Sequence, residues 1–112
     1  AFGLADGLHA LRAAGTEVGT LSLVGGGARS RGWAQLIADA LNVDIALHAG
    51  APAGAALGAA RLAALAAGGD EAQVCKRPDV AALHQPDPAA HAALAPRLGR
   101  FRALYTALQP LK

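Results

Sequence analysis

An apolar run, Leu21-Ser22-Leu23-Val24, stops on three consecutive glycines, Gly25 to Gly27, and Ala28-Arg29-Ser30-Arg31 leads on into an amphipathic segment. Glycine loses more conformational freedom on ordering than any other residue, so three at one corner need a reason. The flanks narrow the choice. Thr20 to Val24 has the β-prone character of a short buried strand. Beyond the glycines, Trp33, Leu36, Ile37, Ala40 and Leu41 follow the spacing of one helix face, with Ser30 placed as its N-cap. A strand that turns through glycines into a helix N-terminus suits an anionic ligand, because free amides and the helix dipole both favour phosphate. The same glycines also suit a tight turn that needs positive φ. The residues alone leave both readings open.

The other elements follow from periodicity and punctuation. Leu4, Leu8 and Leu11 predict a first helix closed by Gly15; it lacks an N-cap residue, as if the chain began inside it. Val43 to Leu47 is a second strand. A third helix is expected from Pro52, suited to a first helical position, to Gly68–Gly69. Residues 70–80 look irregular. Val80 to Leu83 fits a short edge strand, although its pattern also allows helix. Asp87–Pro88 opens a last helix with Leu94, Leu98, Phe101, Leu104, Tyr105 and Leu108 on one stripe, ended by Pro110. Pro96 should break or kink it, since proline removes a helical hydrogen bond. The order predicts an α/β layer architecture with a few-stranded sheet packed by helices. So little sheet, in a chain that starts mid-helix, suggests the tail of a larger protein.

Composition limits what the chain can be. At 112 residues it fits one domain or part of one. Apolar residues make up 54%, yet only one Trp, one Tyr and two Phe are among them. Alanine dominates and removes little surface from water, so the core is thin. The net charge of +2 comes from scattered arginines, without the clustered cations and stacking aromatics of a nucleic-acid surface. The small-apolar run 51–69 holds Pro52, several glycines and Arg61, and makes a poor membrane span. One cysteine, Cys75, allows no internal disulfide. No signal peptide is visible, and a soluble cytoplasmic protein is the default.

Two familiar phosphate-binding motifs do not fit. For G-x-x-x-x-G-K-[ST], Gly27 aligns with Gly32, but Trp33 and Ala34 stand where Lys and Ser/Thr are required. For the dinucleotide fingerprint, Ser30 occupies the third glycine. His48 stands where an acidic residue should end the second strand, and Asp44 lies at its beginning.

The glycine corner instead resembles the adenosine motif of actin/hexokinase-like (ribonuclease H-like) ATPases. L-S-L-V-G-G-G-A-R-S-R-G-W-A-Q-L-I-A-D-A-L (21–41), G-A-A-L-G-A-A-R-L-A-A-L-A (54–66) and the closing R-F-R-A-L-Y-T-A-L-Q-P-L resemble the FGGY carbohydrate kinases, their xylulokinase branch above all. The opening A-F-G-L-A-D-G-L resembles the helix after that family's downstream signature. The likeness runs over the whole chain, in order, and maps residues 1–112 onto the C-terminal portion of the nucleotide-binding domain.

The resemblance implies an enzyme that moves the γ-phosphoryl of Mg-ATP to D-xylulose, with ATP and Mg2+ as cofactors. It places Gly26, Gly27 and Ala28 at the nucleotide, with Gly25, Ser30 and Arg31 nearby. The family's aspartate base and sugar-binding residues belong to the other, N-terminal lobe, absent from this sequence. Phosphoryl transfer depends on positioning and charge neutralisation, so the segment alone is expected to be inactive and to bind ATP weakly at best. Family members often carry an acidic residue before the G-A-A-L-G-A-A helix, where Pro52 and Ala53 stand in this chain.

Several residues read more simply without the resemblance. Gly54 and Gly58 suggest close helix-on-sheet packing ahead of an abutment on the glycine loop. Trp33 falls on the apolar stripe and reads as core ahead of an adenine platform. Arg29 and Arg31 read as surface residues ahead of phosphate contacts, and Asp6 and Asp39 as solvated helix positions. His9, His48, His84 and His91 show no ligand spacing, and Cys75 has no visible base. Two rival readings remain: a family member acting on another sugar or polyol, and a stand-alone interaction module that lost nucleotide chemistry. Uncovered apolar faces predict self-association of the isolated segment.

Overall fold

The computed structural model describes residues 1–109. Five helices and three short strands alternate along them: α1 (Phe2–Ala13), β1 (Leu21–Ser22), α2 (Arg31–Leu41), β2 (Ile45–His48), α3 (Ala55–Ala66), α4 (Glu71–Val74), β3 (Val80–His84) and α5 (Pro88–Leu108). Single 3-10 turns over Gly26–Arg29 and Ala51–Ala53 lead into α2 and α3. Among the described residues the sheet runs in the order β1-β2-β3, with β1 parallel and β3 antiparallel to β2. The architecture is therefore the expected α/β layering around a small sheet.

Every residue of β2 is buried, as a central strand covered on both faces should be. Its Ile45 and Leu47 meet Ile37, Ala38 and Leu41 of α2 and Ala5 and Leu8 of α1 in a single core. Alanines fill much of that core, Ala34 and Ala38 being fully enclosed, so the helices lie close with little bulk between them. The expected strand over Thr20 to Val24 pairs formally only at Leu21 and Ser22, but its hydrogen bonds run further. The amides of Leu21 and Leu23 donate to Asp44 O (2.9 Å) and Ala46 O (3.0 Å).

Two predicted caps are made. Ser30 accepts from the Trp33 amide at 3.2 Å, and Asp87 Oδ1 accepts from the Ala89 amide at 2.8 Å, so each polar side chain fixes the start of its helix. The third helix starts at Ala55 instead of Pro52. Pro52 lies in the preceding 3-10 turn, and Gly54, at φ 47°, cannot continue a right-handed helix. Residues 70–80, expected to be irregular, contain the one-turn α4, and Val80–His84 forms the edge strand. Helix α5 runs unbroken through Pro96, which faces solvent while Leu94 and Leu98 on either side dock on the core. Water can satisfy the carbonyl that proline leaves without a donor. Pro110 lies outside the described residues.

Burial departs from the helical stripes at several positions. Phe101, Leu104 and Leu108 continue the α5 stripe into solvent, and Leu36 of α2 is exposed. Asp39 and Asp6 are not simply solvated. Asp39 is 8% exposed, and its Oδ1 accepts from Gln35 Nε2 (2.9 Å) and the Asp87 amide (2.8 Å). With His91 Nδ1 donating to Asp39 O at 2.8 Å, this carboxylate ties α5 to α2. Asp6 pairs with Arg102 at 2.6 Å and joins α1 to α5. Among the described residues no helix is long and apolar enough to cross a membrane.

Candidate functional site

The glycine corner and the loop after β2 meet at the carboxyl ends of two parallel strands. Crevices of open α/β sheets form at that end, because the loops above the strands splay apart. The β1–β2 ladder ends when Gly25, at φ 85°, donates its amide to Ala51 O at 2.8 Å. Ala28 then donates to Gly25 O (3.0 Å) and Ser30 to Gly27 O (3.1 Å), closing the turn over Gly26–Arg29. The amides of Gly26 and Gly27 head this turn and have no carbonyl partner among the described residues.

The six sequence-selected residues thus occupy different settings. Gly26 and Gly27 combine exposure with unspent amides. Gly25 is half-buried with its amide committed, and Ala28 turns its methyl into the core. Ser30 is spent on capping α2. Arg31 is exposed at the first position of that helix. A Cβ on Gly27 would stand 3.1 Å from Trp33 Cδ1 and 3.2 Å from Nε1, so the indole edge covers the loop. Trp33, expected in the core, is 37% exposed and belongs to the rim of the glycine loop instead.

Gly54 departs from the packing expected of it. A Cβ there would lie 3.0 Å from Gly25 Cα and 3.1 Å from Gly25 N, so the start of α3 abuts the glycine loop backbone to backbone. Gly58, one turn on, has open space at the corresponding point.

Beside this contact lies a cleft of about 290 Å³, lined by Val24, Gly54, Leu57, Arg61 and Arg77. Ser22 and His48 line it as well. His48 is 9% exposed and lies between the Pro78 carbonyl and the Ser22 hydroxyl, each at 2.9 Å. A carbonyl only accepts, so Nδ1 carries a hydrogen toward Pro78 O, and Nε2 shares the second bond with the Ser22 hydroxyl. Sequence reasoning missed this contact. Ser22 and His48 belong to different strands, and the register shift between Leu47 and His48 re-aims the ring at the strand end. Among the described residues no carboxylate lines the cleft. Among the described residues no group of three or more His, Cys, Asp or Glu is placed to hold a metal.

Comparison with known proteins follows the same geography. The model of the FGGY family of carbohydrate kinases, C-terminal domain, matches residues 1–67, which include the glycine loop and α3. The chain is 39% identical over 112 residues to a xylulose kinase of Escherichia coli (strain K12), covering 98% of this chain and 23% of that protein. A xylulose kinase of Klebsiella pneumoniae is 35% identical over 113 residues, with the same coverage, 98% and 23%. Among solved structures, a xyloylose (xylulose) kinase from Brucella ovis superposes with a TM-score of 0.78 at 45% identity. That match covers 99% of this chain and 23% of the other. The chain thus spans about a quarter of the length of these relatives.

Proposed function

The chain belongs to the FGGY family of carbohydrate kinases, sharing its actin/hexokinase-like α/β fold, and we propose that it forms one wall of the nucleotide cleft of a D-xylulose kinase. Residues 1–112 are then the C-terminal portion of the nucleotide-binding domain of a cytoplasmic enzyme. An N-terminal lobe carries the sugar site and the catalytic base. The observation that carries this reading is the pair of unspent amides at Gly26 and Gly27, set at the carboxyl ends of β1 and β2.

The residues present fit ATP. Gly26 and Gly27 offer two N–H donors with no side chain in the way, and the following turn delivers the positive end of α2 to the same point. Gly25 and Gly54 brace that backbone, Ala28 anchors it in the core, and Ser30 fixes the helix start. Arg31 stands exposed next to the loop, as a cation able to face the nucleotide. When bound, ATP supplies the phosphoryl group that is transferred to the sugar hydroxyl. This wall holds and orients the nucleotide, and the exposed edge of Trp33 borders it. Mg2+ does not fit this wall, whose cleft has no carboxylate, and no residue of the chain is assigned to it.

The test is sugar-dependent ADP release by the full-length protein with D-xylulose and a panel of other sugars and polyols. D-Xylulose is expected to give the highest kcat/KM. Gly26→Ala and Gly27→Ala should raise the KM for ATP by roughly tenfold, the equivalent of losing one well-made hydrogen bond to a charged group, and leave the KM for sugar within about twofold. The segment 1–112 alone should release no ADP. An unchanged KM for ATP in both glycine variants would remove the loop from nucleotide recognition.

A further inference from the structure

The cleft beside the glycine loop is bordered by cations that pair with no carboxylate among the described residues. Arg61, on α3, donates to Lys76 O at 2.7 Å through one terminal nitrogen, which fixes the guanidinium at the rim and leaves its other N–H groups unspent. Arg77 is the next residue after Lys76 and lines the same cavity. Its other neighbour, Pro78, is held from beneath by His48 Nδ1 at 2.9 Å. Two separate contacts therefore clamp residues 76–78 between α3 and the end of β2, with Arg77 between the clamped positions. Among the described residues neither Arg61 nor Arg77 pairs with a carboxylate, and no Asp or Glu lines the cleft.

Two guanidinium groups on one cavity repel each other unless an anion sits between them. Their planar forks match phosphate oxygens better than any single point charge does. The clamp on residues 76–78 also lowers the entropy lost when Arg77 closes on a ligand. At about 290 Å³ the cavity has room for a phosphoryl group with an organic remainder against Val24 and Leu57.

We propose that this cleft is a phosphoryl-binding site in which Arg61 and Arg77 are the anion ligands. Gly26 and Gly27 are not among its lining residues, although Val24 and Gly54 border both it and the glycine corner, and the case in which the nucleotide supplies the phosphoryl group rests on the proposed function. The phosphoryl group can come from the nucleotide on the adjacent loop or from a separate phosphorylated small molecule.

Calorimetric titration of the full-length protein with inorganic phosphate and pyrophosphate, at low ionic strength, tests the site. Saturable binding is expected. Arg61→Gln and Arg77→Gln should each raise Kd by about tenfold, and the double variant by about a hundredfold, since a charge-assisted bond is lost each time. Gly27→Ala should leave phosphate Kd within about twofold while weakening ATP, so failure of the glycine loop and failure of this site are separable. Repeating the titration with saturating ATP separates the two sources. Exclusion of phosphate assigns the site to the nucleotide's own phosphates, and retained binding assigns it to a second molecule. Arg77 is exposed and Arg61 half-buried, so their variants should fold, as circular dichroism will check. Wild-type protein that binds neither anion, or a double variant that binds both unchanged, overturns the proposal.

Discussion

Gly54 backs onto Gly25 so closely that a methyl group on it would stand 3.0 Å from the Gly25 Cα. Two loops that follow parallel strands are thereby locked together at the strand ends. The contact is reinforced by the hydrogen bond from Gly25 N to Ala51 O at 2.8 Å. A side chain on Gly54 would separate the loops, so the spacing of the glycine corner depends on a residue 29 positions downstream.

Gly54→Ala is expected to cost about 1–3 kcal/mol in unfolding free energy, because it combines φ 47° with a backbone clash. Urea unfolding of the full-length protein measures it. Gly58→Ala is the control: space is open there, and alanine in a helix interior should be neutral or stabilising by up to about 1 kcal/mol. Equal effects of the two substitutions would show that the loop contact carries no stability.

Asp39 accepts two hydrogen bonds at one oxygen, from Gln35 Nε2 and the Asp87 amide. Asp39→Ala leaves the Asp87 amide unpaired at the α2–α5 contact, while Gln35 Nε2 keeps its bond to Gln85 O, and should cost about 1–3 kcal/mol. Asp39→Asn keeps a carbonyl oxygen for both donors and should retain most of the stability. Chemical unfolding of the two variants side by side is the measurement, and equal losses would remove the hydrogen bonds from the explanation.

Ser30→Ala removes the cap on the Trp33 amide and should destabilise the protein by about 1 kcal/mol. Asp6→Asn, which breaks the pair with Arg102, should cost less than that. Both partners are more than one-third exposed, at 37% and 47%, so water and salt screen the attraction. Thermal unfolding at two salt concentrations distinguishes them, since only the Asp6 effect should shrink as salt rises.

The isolated 112-residue chain should self-associate. Leu104 and Leu108 of α5 and Leu62 of α3, the last 69% exposed, present apolar surface to solvent. Sedimentation velocity should show a weight-average mass that rises with concentration. The double substitution Leu104→Glu, Leu108→Glu should lower it. A wild-type chain that stays monomeric across the concentration range contradicts the expectation.

Local signals announced much of this fold. Ser30 and Asp87 were legible as caps because capping depends on residues within one turn. The glycine corner was legible because positive φ and helix start are local as well. Pro52 suits a 3-10 turn as well as a helix start, and only the Gly54 backbone decides that α3 begins at Ala55. The effect of Pro96 depends on whether the proline faces solvent or the core, which no local pattern records.

The sequence by itself determined the order of the main elements, the capped starts of α2 and α5 and the position of the glycine corner, all properties of chain segments a few residues long. It also carried the likeness to a kinase family, through the spacing of its glycines and leucines. Tertiary structure alone decided that Gly54 braces Gly25, that Trp33 covers Gly27, that Asp39 is buried and that His48 joins Ser22 to Pro78. Each of those depends on which distant segments are brought within bonding distance. A one-dimensional pattern holds no record of that distance until the strands pair and the helices dock.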